Sequence, residues 1–291
     1  MAAADMANGT KSFRIPVTYS DMFFGEWNLE KATHFMDTTH LNNTILILIV
    51  YYLMVYFGPR IMEIRKAFDL RRVLGAWNML IALYSGISLY VLWPYWIKSY
   101  NKGGIIGTMC HTDDMYSNPV SGYWGWLFAM SKGCELMDTV FLILRKRPVR
   151  ALHWYHHSMS FFLVQVFWTE FIPWVRPGVI INLAVHTVMY FHYGLRAWGV
   201  RIPKWISKMV ILSEIAQFIV GLTFILVFVD GYLKDGLKDC NLKVDKLGLA
   251  SVIGVSYLYL FLQYFKEAYG KKIPATRKHD DSGNMKMRKE Q

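Results

Sequence analysis

Seven apolar runs of membrane-spanning length recur along the chain, at about 41–57, 73–93, 122–144, 151–172, 178–195, 209–229 and 247–265. A bilayer core about 30 Å thick is crossed by roughly 20 apolar residues in a helix. In lipid, every backbone N–H and C=O must be paired within the spanning structure. The runs therefore predict an all-α polytopic membrane protein with seven transmembrane helices, and the 54% share of hydrophobic residues excludes an ordinary soluble domain. Residues 1–40 read as an N-terminal arm, 41–269 as the membrane domain and 270–291 as a polar basic tail. No apolar stretch precedes residue 41, so a signal peptide is not expected.

The net charge of +11 raises the question of nucleic acid, but its distribution answers as topology. With the N-terminus lumenal, the loops and tail on the cytosolic side carry 21 Lys and Arg, against 10 on the other side. Such a bias marks cytosolic loops, and no nucleic-acid partner is expected. The chain ends Arg288-Lys289-Glu290-Gln291, which resembles a retrieval signal of the endoplasmic reticulum. Cys110 and Cys240 fall in the two longest lumenal loops, where they form either a disulfide or two free thiols. The sequons at Asn8 and Asn42 lie on the same side and are candidate glycosylation sites, Asn42 close to the bilayer.

Ionisable groups at membrane depth are costly and rarely persist without a role. Residues 132–157 nonetheless place Lys132, Glu135, Asp138, His153, His156 and His157 in or beside apolar helices. The histidines fall at i, i+3, i+4, and Lys132, Glu135, Asp138 and Thr139 at i, i+3, i+6, i+7, so each set shares one helix face. A short link, Arg145 to Arg150 with Pro148, folds the two spans into a hairpin. Asp138 and His156 both lie six or seven residues from that turn, at a depth of roughly 10 Å, so the two faces are expected to meet. The fifth span adds Asn182, His186, Tyr190 and Tyr193, and the sixth adds Glu214 and Gln217. Polar stripes on four helices must face inward, around a cavity with Arg145, Lys146, Arg147 and Arg150 at its cytosolic mouth.

H-x-x-H-H is also a spacing of membrane diiron enzymes, but only five histidines (153, 156, 157, 186 and 192) lie in spans and only one paired box exists. No metal is therefore expected. The other chemistry is acyl transfer with imidazole as base or nucleophile. Cys134 lies about 200° around the helix from Lys132 and points away from the polar face, which leaves histidine. A seven-helix receptor or transporter is the non-enzymatic alternative.

In order and spacing, Lys132-x-x-Glu135-x-x-Asp138-Thr139, His153-Trp-Tyr-His156-His157 and Asn182-x-x-x-His186-x-x-Met189-Tyr190 resemble the very-long-chain fatty acid elongases, membrane 3-ketoacyl-CoA synthases of the endoplasmic reticulum. The resemblance covers nearly the whole chain. It implies condensation of a long-chain acyl-CoA with malonyl-CoA to 3-oxoacyl-CoA, carbon dioxide and CoA, without a cofactor. It also implies six of seven helices around a tunnel closed at the lumenal end, a lumenal link between Cys110 and Cys240, and partners from the other enzymes of the elongation cycle. Two places depart from the family pattern, Met189-Tyr190-Phe191-His192-Tyr193 and Ile211-x-x-Glu214-x-x-Gln217, both on the expected tunnel wall.

In the expected mechanism, His156 attacks the thioester while His153, His157 and His186 tune, orient or relay protons. Glu135 and Asp138 hold imidazole tautomers, Asn182 and Tyr190 donate to the oxyanion, and Lys132 and Gln217 complete the polar wall. Arg145, Lys146 and Arg147 steer CoA at the mouth. The rival step is direct condensation with His156 as base alone.

Overall fold

The computed structural model describes residues 17–235, 240, 243–270, 278–279 and 285–286. Asn8 and the last four residues lie outside the described residues. Ten α-helices carry the fold among those described: α1 (Tyr19–Phe24), α2 (Leu29–His34), α3 (Leu41–Glu63), α4 (Arg71–Cys110), α5 (Pro119–Glu135), α6 (Met137–Leu144), α7 (Ala151–Thr169), α8 (Arg176–Ala197), α9 (Lys204–Asp235) and α10 (Val244–Tyr269). In the tail, Lys278–His279 pairs antiparallel with Met285–Lys286.

Among the described residues, five helical segments are long and apolar enough to cross a membrane: Leu29–Glu63, Arg71–Cys110, Pro173–Ala197, Lys204–Lys234 and Val244–Tyr269. The chain is thus a multi-pass, helical membrane protein. The two remaining predicted spans are the polar ones. The run 122–144 divides at Leu136 into α5 and α6, and the 19 residues of α7 include three histidines and a glutamine. The residues that suggest chemistry are the same ones that dilute the apolar signal.

Several boundaries extend past the apolar runs. The first span is continuous with α2 through a π-helical turn, Phe35–His40. There Ala32, Phe35 and Met36 bury against Tyr116, Trp126 and Trp168, so aromatic packing holds a segment whose composition reads as polar. α4 runs 40 residues, with non-helical backbone at Gly103 and Gly104. The unbroken part, residues 71–102, is about 48 Å of helix, longer than a bilayer core.

Local signals start and stop the elements that frame the site. Asn118 caps α5 by accepting from Val120 N and Ser121 N, with Pro119 in the first position. Just past the end of α6, Lys146 takes left-handed backbone at φ 53°. There Lys146 N donates to Ile143 O and Arg147 N to Leu142 O, a Schellman closure made without glycine. α4 packs most extensively on α8, α9 packs on α8 and α10, and α7 packs on α5, α10 and α3. A Cβ at Gly75 would strike the Trp198 indole, so glycine there is what lets that ring cross α4.

Candidate active site

A cavity of about 310 Å³ lies inside the bundle, walled by residues of α4, α5, α7, α8, α9 and α10. Most of its wall is apolar, including Leu92, Phe128, Leu163, Phe167, Phe224 and Ile253. At one end stand Lys132, Glu135, His156, Asn182, His186 and Gln217, every one a candidate from spacing. α3 contributes no lining residue.

Three helices knit the polar end together. Lys132 Nζ donates to Glu135 Oε1 at 2.7 Å and to Asn182 Oδ1 at 2.8 Å. The Lys132 and Glu135 side chains are 6% and 5% exposed, so the pair is held by geometry and by neighbours rather than by water. Glu135 Oε1 also lies 3.4 Å from His186 Nδ1. An Nδ1–H donated to that carboxylate leaves Nε2 of His186 as the free acceptor, the tautomer a general base needs. Asn182 Nδ2 reaches Gln217 Oε1 at 3.5 Å, carrying the line from α8 to α9.

His156 enters from α7 inside an aromatic frame. Its ring centroid is 4.8 Å from Tyr257, 5.7 Å from Phe261 and 6.1 Å from Phe218. Tyr257 OH donates to the His156 carbonyl at 3.2 Å and is 3.1 Å from Ser160 Oγ. Tyr257 is a site residue that spacing arguments missed, because the last span has no charged or imidazole group to flag it. The His153 and His157 rings pack at a tilt, centroids 4.4 Å apart, and are not among the lining residues. His153 Nε2 and His157 Nδ1 are buried without a hydrogen-bond partner. Of the three clustered histidines, the structure presents His156 to the cavity.

Asp138 and Tyr190 differ from expectation. Asp138 takes Trp77 Nε1 on Oδ1 and Tyr190 OH on Oδ2, both at 2.7 Å. No imidazole reaches it; Glu135, one turn deeper, holds the histidine instead. The packing differs from the expected hairpin: α6 packs on α3, while α7 packs on α5. Tyr190 is 2% exposed and commits its hydroxyl hydrogen to Asp138, so it is not a free oxyanion donor. Its ring lies 5.3 Å from His186. Thr139 pairs with Tyr51 OH at 2.8 Å, joining α6 to α3.

At the other predicted positions, Lys146 Nζ caps the end of α3 through the carbonyls of Glu63 and Arg65, each at 3.2 Å. Arg147 is exposed beside it and Arg145 half-buried. Glu214 is buried and accepts from Tyr193 OH at 3.3 Å, outside the lining. His192 is buried in the packing. Cys134 is exposed on the outer face of α5. Cys110 and Cys240 form a disulfide with Cα atoms 4.6 Å apart. Asn42 is exposed on α3, its amide donating to Thr38 O at 2.8 Å. Among the described residues, no three His, Cys, Asp or Glu side chains are grouped to hold a metal ion.

These features define a polytopic membrane protein with a long apolar cavity ending in a buried lysine–glutamate–histidine cluster. Residues 31–277 match the model of the GNS1/SUR4 (ELO) family, and the chain belongs to that family. It is 36% identical over 262 residues to Long chain fatty acid elongase 2 of Caenorhabditis elegans, covering 89% of this chain and 94% of that protein. It is 34% identical over 221 residues to Very long chain fatty acid elongase 6 of Drosophila melanogaster, covering 76% and 70%. Very long chain fatty acid elongase 6 of Gallus gallus is 32% identical over 262 residues, covering 89% and 96%.

Proposed function

We propose that the chain is an enzyme of fatty acid elongation, a 3-oxoacyl-CoA synthase that condenses a long-chain acyl-CoA with malonyl-CoA. The observation that carries this reading is the union of one apolar cavity with His156, His186 and the Lys132–Glu135 pair at its polar end. An acyl chain suits the apolar wall, and its thioester would stand at the cluster. In this reading the polar end opens to the cytosol, six of seven spanning helices form a tunnel, and CoA lies near Arg145, Lys146 and Arg147. The protein resides in the endoplasmic-reticulum membrane, N-terminus lumenal and C-terminus cytosolic, beside the other enzymes of the cycle. It needs no cofactor, and Asn8 and Asn42 are the sites offered for glycosylation.

The chemistry runs in two halves. A ring nitrogen of His156 attacks the thioester carbonyl, the C–S bond breaks, and CoA leaves with the imidazole proton. Malonyl-CoA then loses carbon dioxide, and its enolate carbon attacks the acyl carbon. The C–N bond breaks and 3-oxoacyl-CoA is released. The departing imidazole regains a proton, relayed by His186 on its Glu135 anchor. Asn182 is the amide nearest this chemistry and would donate to the developing oxyanion.

Labelled malonyl-CoA incorporation by membranes carrying the chain tests the reaction, and no incorporation at any acyl length would refute it. Intact mass after acyl-CoA alone tests the covalent half. An unmodified enzyme with turnover intact would leave His156 as a base in direct condensation.

A further inference from the structure

Glu214 is a buried acid that the proposed chemistry leaves unused. It sits on α9, 5% exposed, and accepts a hydrogen bond from Tyr193 OH of α8 at 3.3 Å. The other buried acids are better held. Glu135 has the Lys132 ammonium at 2.7 Å, and Asp138 has two donors at 2.7 Å. Among the described residues, no lysine, arginine or histidine stands within ion-pair distance of Glu214. An acid at this depth with one long hydrogen bond is costly and rarely persists without a role.

Its place in the fold narrows that role. Two hydrogen bonds join α8 to α9, Asn182 to Gln217 at 3.5 Å and Tyr193 to Glu214 at 3.3 Å. On α8, His186 falls between Asn182 and Tyr193. On α9, Glu214 is one turn from Gln217, which lines the polar end of the cavity. The two stretches that depart from the family pattern, 189–193 and 211–217, thus meet at the Tyr193–Glu214 bond. In the elongase reading the α8 C-terminus and α9 N-terminus face the cytosol, so Glu214 stands on the cytosolic side of the cluster. Tyr193 is seven residues from His186, about 10 Å of rise. Side chains lean toward the N-terminus of their helix, which brings the Tyr193 hydroxyl back toward His186. A short water chain would span what is left. Of the other titratable groups, Tyr264 of α10 and Arg196 of α8 stand near Tyr193.

We infer that Glu214, with Tyr193, is the proton inlet of the reaction, the group that passes a cytosolic proton to His186. The inference rests on the elongase reading above. Condensation needs such a group. Malonyl-CoA enters with a carboxylate and loses it as neutral carbon dioxide, so each turnover takes up one proton, which ends on the CoA thiol. That proton must cross from the cytosol to a cluster buried among helices. Glu214 in its acid form gives its O–H proton, through water, to Nε2 of His186, the nitrogen that the Glu135 contact leaves free. His186 passes it on to the departing imidazole of His156. The carboxylate left behind accepts from Tyr193 OH until it takes a proton from the cytosolic side, which closes the cycle. Glu214 is therefore a relay that acts through His186 and does not touch substrate.

The test is turnover of labelled malonyl-CoA by membranes carrying the full chain or its variants, with and without added formate. Covalent and direct condensation both consume the proton, so the outcome does not depend on which operates. Glu214→Gln keeps the shape and the acceptor for Tyr193 but holds no acid. A well-placed acid contributes roughly 10²–10⁴-fold, and one that only refills a relay should contribute less, so turnover should fall about tenfold. KM for both CoA substrates should stay unchanged, because the residue makes no contact with them. Formate, a small weak acid, should restore turnover in the variant and leave the unaltered chain as it was, which a merely structural glutamate would not show. Glu214→Ala leaves space for formate beside Tyr193 and should show the same loss with the larger restoration. Turnover of Glu214→Gln within about twofold of the unaltered chain, or a loss in both variants that formate does not relieve, overturns the inference. If the unaltered chain incorporates no label at any acyl length, it is the elongase reading that fails.

Discussion

Glu135 Oε1 lies 3.4 Å from Nδ1 of His186 and, at 2.7 Å, receives the ammonium of Lys132. One carboxylate oxygen thus balances a buried cation and orients an imidazole from another helix.

Removing that carboxylate should be expensive. Breaking a buried pair by deleting one partner leaves the other charge uncompensated, at about 3–5 kcal/mol. Glu135→Ala should lower detergent-solubilised thermal stability accordingly. Lys132→Met with Glu135→Leu should regain most of that stability and no turnover. If the double variant elongates normally, the pair is structural only.

The Asp138 carboxylate offers a contrast, because it binds two neutral donors. Asp138→Ala strands the half-buried Trp77 Nε1 and the buried Tyr190 OH, the buried one costing about 1–3 kcal/mol. Tyr190→Phe removes one donor and should cost less than Asp138→Ala. Denaturation monitored by tryptophan fluorescence checks the order, and a reversal would mean that another group satisfies Asp138.

The disulfide joins positions separated by 130 residues, tying the end of α4 to the segment before α10. A native cross-link of this kind contributes about 2–4 kcal/mol. Cys110→Ser, Cys240→Ser and the double variant should therefore share one lowered melting temperature. Additive losses would show that the cysteines stabilise the fold separately.

Much of the site was legible because membrane burial makes polar residues conspicuous. Lys132, Glu135, His156, Asn182, His186 and Gln217 were placed by face and depth alone, and all six line the cavity. What spacing could not show was that α6 packs on α3 and α7 on α5. Residues 137–144 continue the apolar run without proline or glycine, so nothing local announces that α6 leaves the hairpin, and depth counting paired Asp138 with the wrong helix. Tyr257 was invisible for the opposite reason. A tyrosine in an aromatic-rich span is ordinary until packing sets it against His156. The five candidate spans among the described residues follow from composition, whereas α5 and α6 divide a run that composition reads as one span, and the three histidines of α7 dilute its apolar signal.

His156 and His153 sit one turn apart on α7 and carry the same ring, yet only His156 lines the cavity. His153 instead packs its ring at a tilt against His157, 4.4 Å away. A histidine acting directly on the substrate contributes roughly 10²–10⁴-fold as acid or base, and its loss as a nucleophile is at least as severe. His156→Ala should therefore abolish measurable malonyl incorporation and any acyl adduct in intact mass. His153→Ala should leave the adduct detectable and reduce turnover less, since it removes packing and a buried unpaired nitrogen rather than the reacting group. His156→Gln keeps a polar side chain of comparable size in the aromatic frame of Tyr257, Phe218 and Phe261, and separates lost chemistry from lost packing. Should His156→Gln retain the adduct while His153→Ala loses it, the reacting imidazole is the other one.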